Sequence, residues 1–188
     1  MQVSLGCELR FKVLSMDRFL ELRAEMDIQI SDLQSCLCVD HDRLRGWVKT
    51  ALRDRGVLRA TLSIVLVDDP AIRLINARHL GHDYATDVIT FPLSEPDDPE
   101  LAGEIVISTQ TATTMAESLA VSPQHELALY AVHGVLHLCG FDDQDVDSRQ
   151  EMETQQTRIM AMLEADPGTG DLSAALFHWN AGGSKCPQ

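Results

Sequence analysis

The sequence predicts an α+β fold, a small mixed β-sheet packed with helices, on three observations. Short β-branched runs at residues 62–67 (LSIVLV), 87–91 (DVITF) and 104–108 (EIVIS) have the length and composition of strands. Longer segments between and beyond them place apolar residues at helical spacing behind recognisable caps. The two kinds of element follow one another in mixed order, which points to α+β rather than to a regular strand-helix repeat.

Taken in order, residues 27–30 form a short strand. Asp40 or Asp42 then caps a helix running to about residue 55, with Leu44, Trp47, Val48 and Leu52 on its apolar side. After the strand at 62–67, Asp68, Asp69 and Pro70 open a helix that runs to about residue 79, because proline suits the first helical turn and acids suit its positive end. The strand at 87–91 stops at Pro92, and the Pro- and Asp-rich stretch 93–102 is expected to be a mobile loop before the strand at 104–108. Residues 109–120 make a helix, Ser122-Pro123-Gln124 starts the next one, and residues 145–163 form a last amphipathic helix.

The helix opened by Ser122 carries the chemistry. His133 and His137 stand one turn apart, so both rings lie on one face and both can reach an ion at the ~2.0–2.1 Å that zinc requires. Leu127, Ala128, Leu129, Ala131, Val132, Val135, Leu136 and Leu138 leave almost no polar face, which predicts a buried helix. An unpaired polar group in such an interior costs on the order of 2–7 kcal/mol, and metal coordination offsets it. Gly140 adopts the left-handed conformation that ends helices, so the chain reverses there and returns Asp142 or Asp143 to the imidazoles. The spacing is zincin-like, His-x-x-x-His followed by Gly, but Gly134 stands where a metalloprotease has its glutamate base. Cys139 is rotated about 200° from His137 and is read as core packing.

Composition frames these readings. The 188 residues, 45% of them hydrophobic, suffice for one core and one domain. No apolar run approaches the ~20 residues needed to cross a bilayer, and the start does not read as a signal peptide, so a cytoplasmic protein is expected. Five cysteines without Cys-x-x-Cys spacing favour neither a disulfide framework nor a cysteine zinc site. The net charge of −14 opposes broad phosphate binding, yet Arg45, Lys49 and Arg53 recur every four residues and form a basic stripe. A stripe of this kind is a candidate backbone-binding surface, although most charged helical faces are simply solvated.

The segments NARHLGHDYATDVITFP (76–92), GEIVIS (103–108) and HGVLHLCGFDD (133–143) resemble, in order and spacing, the YbeY-type endoribonucleases that mature ribosomal RNA. The resemblance covers roughly residues 28–165. It implies a single-domain metal-dependent endoribonuclease with one zinc per chain, held by His133, His137 and Asp143, acting on single-stranded rRNA at the 3′ end of the small-subunit rRNA and in ribosome quality control. Ribosomal RNA and the small ribosomal subunit are the implied partners; DNA is not. Thr86 and Asp87 are expected to shape the cleft floor. Three positions depart from the family pattern: Asp143 replaces its third histidine, Leu80 its functional arginine, and His82 its lysine. Asp143 adds negative charge and should weaken the metal as a Lewis acid. His82, if protonated, is a candidate catalytic group in partial compensation, with a solvated loop position as the plain alternative for it and for His79.

The domain is therefore placed at residues 27–164, after a flexible extension (1–26) and before a disordered tail (165–188) in which Leu176, Phe177 and Trp179 could dock on a partner. Met26 could itself begin a reading frame. Two rival readings are an assembly factor that keeps the fold and metal but has little nuclease activity, favoured by Leu80 and the acidic charge, and a metal-dependent hydrolase of another substrate.

Overall fold

A computed structural model describes residues 25–166 and Leu172. The described elements are β1 (Glu25–Asp32), α1 (His41–Asp54), β2 (Arg59–Val67), α2 (Asp69–His79), β3 (Val88–Pro92), β4 (Leu101–Ser108), α3 (Thr109–Leu119), α4 (Pro123–Leu138) and α5 (Val146–Ala165). The four strands form one sheet in the order β1-β2-β4-β3. β1 and β4 run parallel to β2, whereas β3 pairs antiparallel with β4, so the sheet is mixed as its sequence predicts.

The two faces of the sheet bury different residues because side chains alternate along a strand. Leu62, Ile64 and Leu66 of β2 join Ile105 and Ile107 of β4 in the larger core, under α1, α4 and α5. Val67 and Val106 face the other way, where Ile72 of α2 and Ile89 of β3 complete a smaller layer. Leu44, Trp47, Val48 and Leu52 of α1 are all buried in the larger core. Asp40 caps that helix by accepting from the N–H groups of Asp42 and Arg43, which decides between the two acids the sequence offered.

Several boundaries differ from the sequence reading. Glu25 and Met26, assigned to the extension, pair with Arg59 and Ala60. Leu172, assigned to the tail, is buried in the larger core, and its carbonyl accepts from the hydroxyl of Ser122, the cap of α4. Residues 1–24 and the other residues of the tail from 167 on, Leu176, Phe177 and Trp179 among them, lie outside the described residues. The stretch expected to be a mobile loop is shortened by β4, which begins at Leu101, and is tied across its neck where Leu93 N–H donates to the Ala102 carbonyl at 2.9 Å and Ala102 N–H to Ser94 Oγ at 3.0 Å. Cys38 takes part in a disulfide, which cysteine spacing did not suggest. Among the described residues, no helix is long and apolar enough to cross a membrane.

α4 is pressed against the sheet. A Cβ built on Gly134 would lie 2.7 Å from Ile105 Cγ2 and 3.3 Å from its Cδ1. Glycine is therefore a packing requirement here, and the position points into the sheet rather than toward the imidazoles. Gly134→Ala should gain at most ~1 kcal/mol of helix propensity and lose ~1–3 kcal/mol to overpacking. The expected result is a lower melting temperature, read by thermal denaturation; an unchanged or higher value would show that helix and sheet can separate freely.

Candidate metal centre

The histidine helix ends as its sequence requires. Gly140 takes φ +89°, its N–H donates to the His137 carbonyl at 2.9 Å, and Phe141 N–H donates to the Leu136 carbonyl at 3.1 Å. This paired pattern is the Schellman turn, and it folds the next residues back over the last helical turn. Asp143 thereby reaches the imidazoles, its Oδ2 standing 3.8 Å from His133 Nε2. Asp142 does not: its carboxylate accepts the Asp143 N–H at 2.8 Å. Asp145 is also committed, capping α5 through the N–H groups of Asp147 and Ser148, and the Ser148 contact is the main reason its carboxyl is held below the usual range. Arg149 donates twice to the Asp143 carbonyl, at 3.2 and 3.0 Å, and so fixes the backbone of that residue.

The imidazoles are oriented from behind. His137 Nδ1 lies 3.0 Å from the Phe141 carbonyl, which can only accept, so Nδ1 carries a proton and Nε2 is the nitrogen turned toward the site. His133 Nδ1 lies 3.0 Å from Gln156 Oε1, giving the same arrangement. The two Nε2 atoms then face each other at 3.0 Å. Two lone pairs at that distance repel unless a proton or a metal cation lies between them. Two nitrogens bound to one tetrahedral zinc at ~2.0–2.1 Å stand about 3.4 Å apart, close to what is found. Ligand atoms of His133, His137 and Asp143 all lie within 4.8 Å of one another, the only such group of three among the described residues. The residues present thus fit a divalent metal, with imidazoles held in the way metal-ligating histidines usually are.

The other candidates are scattered. Leu80 ends α2 and is exposed. His82 is exposed and stacks on Tyr84, while the His79 ring meets the edge of Phe91. Thr86 donates to Asp87, whose carboxylate also accepts the Val88 N–H and whose carbonyl accepts the Ser108 N–H. These bonds hold the start of β3, whereas the part of the strand that meets α4 at Gly134 is Thr90. Asp87 also lies close enough to Tyr130, one turn before His133 on α4, to act on its phenol by charge. In the basic stripe, Arg45 is spent on the Ile28 carbonyl and Asp42, whereas Lys49 is half-buried and Arg53 exposed.

Three residues near the centre have no signal in the sequence. Gln156 orients His133 from α5, and Arg149 holds Asp143. Arg55 lies over the Phe141 ring at 5.4 Å and, with Arg158, pairs with the buried carboxylate of Asp54. Gln156 meets His133, and Arg55 meets Phe141, across sequence separations that no local pattern records, while Arg149 is only six residues from Asp143 but reads as a solvated helix residue. Cys139 is half-buried and packs on the core as expected; burial pushes its thiol up to about 11, so it stays protonated at neutral pH.

The family model described as Endoribonuclease YbeY matches residues 29–164. Among curated proteins, Endoribonuclease YbeY of Parabacteroides distasonis is 35% identical over 118 residues, which span 63% of this chain and 82% of that one. The Rhodopirellula baltica protein of the same name is 36% identical over 152 residues, 80% of this chain and 77% of its own. That of Deinococcus radiodurans is 43% identical over 102 residues, 53% and 66% of the two chains. A solution structure from Thermotoga maritima shares the fold with a TM-score of 0.52 at 21% identity, covering 81% of this chain and 99% of that one. Matched across the described sheet and both imidazoles, the chain belongs to the endoribonuclease YbeY family.

Proposed function

We propose that this protein is a metal-dependent endoribonuclease that processes ribosomal RNA, cutting single-stranded RNA at the 3′ end of the small-subunit rRNA in the cytoplasm, with zinc as its metal. The observation that carries the reading is the convergence of two imidazole Nε2 atoms and one carboxylate at the end of α4, in a chain whose relatives are named endoribonucleases. When bound, the metal supplies Lewis acidity toward a phosphodiester oxygen and lowers the pKa of the attacking water. The chain's own part is to hold geometry: Gln156 and the Phe141 carbonyl lock both rings, and Arg149 locks the Asp143 backbone. Gly134, packed against Ile105, leaves no room for the glutamate base that peptide hydrolysis would use. The side chains of Lys49 and Arg53 form no hydrogen bond or ion pair among the described residues and stay available for phosphate on this reading. His82, exposed and stacked on Tyr84, is on this reading at most an auxiliary contact to the substrate.

The test is cleavage of a structured small-subunit rRNA fragment, with casein as control, each with and without chelator. Cleavage of RNA alone, lost on chelation and restored by zinc, supports the reading. Binding to rRNA without cleavage would favour the assembly-factor role, and cleavage of casein would overturn the assignment.

Leu80 offers a second test. Its side chain is 53% exposed and occupies the place of the family's functional arginine, so Leu80→Arg can extend into solvent without repacking. One charged contact to phosphate is worth ~1–3 kcal/mol, so RNA affinity should rise about tenfold. No change in affinity or cleavage would show that this loop does not face the substrate.

A further inference from the structure

On the sheet face opposite the imidazoles, α2 and the segment after it enclose an open cavity of about 750 Å³. Pro70, Leu74, Tyr84 and Ala85 give it apolar walls, and Asp69 and Gln110 also line it, Asp69 Oδ1 already accepting from the Ser108 and Thr111 hydroxyls and Gln110 Oε1 from the Asp69 N–H. Leu74 and Tyr84 are large and exposed, at 72% and 58%. Exposed apolar surface in a concavity marks a binding site more often than a packing fault. The wall is also built to stay in place. Tyr84 stacks on His82 with ring centroids 5.4 Å apart and planes 13° from parallel. The Tyr84 carbonyl accepts from the buried Asn76 side chain at 2.9 Å, and Arg73 grips Asp83 through two hydrogen bonds of 2.8 and 3.0 Å.

We propose that this cavity is a subsite for one unpaired nucleobase of the RNA substrate, stacked on Tyr84 and met at its edge by the atoms of Gln110 and Asp69 that internal bonds leave over, Nε2 and Oδ2. The inference rests on the RNA reading above and adds to it where the substrate is held. Two observations select a base over other ligands. A preformed aromatic stack is the surface on which splayed bases of single-stranded RNA are bound, each worth ~1–3 kcal/mol. Charge points the same way. Arg73 is neutralised by Asp83, and Asp69 adds a negative charge, so the cavity repels phosphate but accepts a neutral base. A chain of net charge −14 gains affinity for RNA more readily through bases than through the backbone.

The test is anisotropy of a labelled single-stranded oligoribonucleotide at 4 °C on the full chain, with RNA integrity checked after each titration. Tyr84→Ala should weaken binding about tenfold, Tyr84→Trp should keep it, and neither should change the melting temperature, because the ring is largely exposed and the Asn76 bond is made to backbone. The salt dependence should be the same for parent and Tyr84→Ala, since no phosphate contact is lost, and duplex RNA of the same sequence should not distinguish them. If the parent cleaves RNA while Tyr84→Ala binds single strands as tightly as the parent, the subsite is wrong and the nuclease reading stands. If the parent neither binds nor cleaves RNA, both fall. A fall in melting temperature with affinity restored by no aromatic variant would make Tyr84 structural and would also overturn the subsite.

Discussion

His137→Ala will leave the protein without its metal and without metal-dependent cleavage. The substitution removes one of two Nε2 donors that face each other at 3.0 Å and frees the Phe141 carbonyl that holds the ring. Disturbing even a supporting partner of a metal ligand costs tenfold to hundredfold in affinity or activity, so loss of the ligand itself should exceed that range. Stability should fall as well, because binding free energy adds to folding free energy: metal present at 100 times its Kd contributes ~2.7 kcal/mol, or roughly 5–10 °C in a domain of this size. Elemental analysis and thermal denaturation of the variant read both effects. His125→Ala serves as control, since that ring lies near Glu126 and Glu164, away from the centre, and should keep its metal. A His137→Ala protein with full metal content would remove His137 from the site.

The second large effect is expected at the third ligand. Asp143→Ala should weaken metal affinity by at least tenfold to hundredfold, whereas Asp142→Ala should not, because the Asp142 carboxylate is turned to the Asp143 N–H. Asp143→His replaces a charged ligand by a neutral one. It should keep the metal and, by leaving more of its positive charge uncompensated, shift the pH optimum of cleavage downward. Metal titration of the three variants against the parent checks this. Loss of affinity in Asp142→Ala and not in Asp143→Ala would move the ligand by one residue; no loss in either would mean that the two imidazoles are completed by another group.

What the sequence made legible is local. A four-residue histidine spacing, a following glycine and an acid just beyond it specify a helix face, a left-handed stop and a returning side chain, and all three are found. The start of α4 at Ser122-Pro123 and the apolar side of α1 are equally local. The choice between Asp142 and Asp143 was not, because it depends on which carboxylate the turn's own N–H captures. Gln156 and Arg149 were silent for a similar reason: a glutamine and an arginine on a polar helix read as solvated until the fold sets α5 beside α4. Gly134 reads in sequence as a missing catalytic glutamate; in the fold it is where Ile105 needs the space. Arg45 failed in the opposite sense, since a regular basic stripe looked free while one of its members was bound to the Ile28 carbonyl.

On the geometry at the end of α4, His133, His137 and Asp143 are expected to hold a metal in the native protein. Elemental analysis of the full chain after gentle purification without chelator tests it most directly. Close to one transition metal per chain is expected, zinc foremost, falling to near zero in His137→Ala. A parent protein that carries none and binds none on addition of zinc would contradict it.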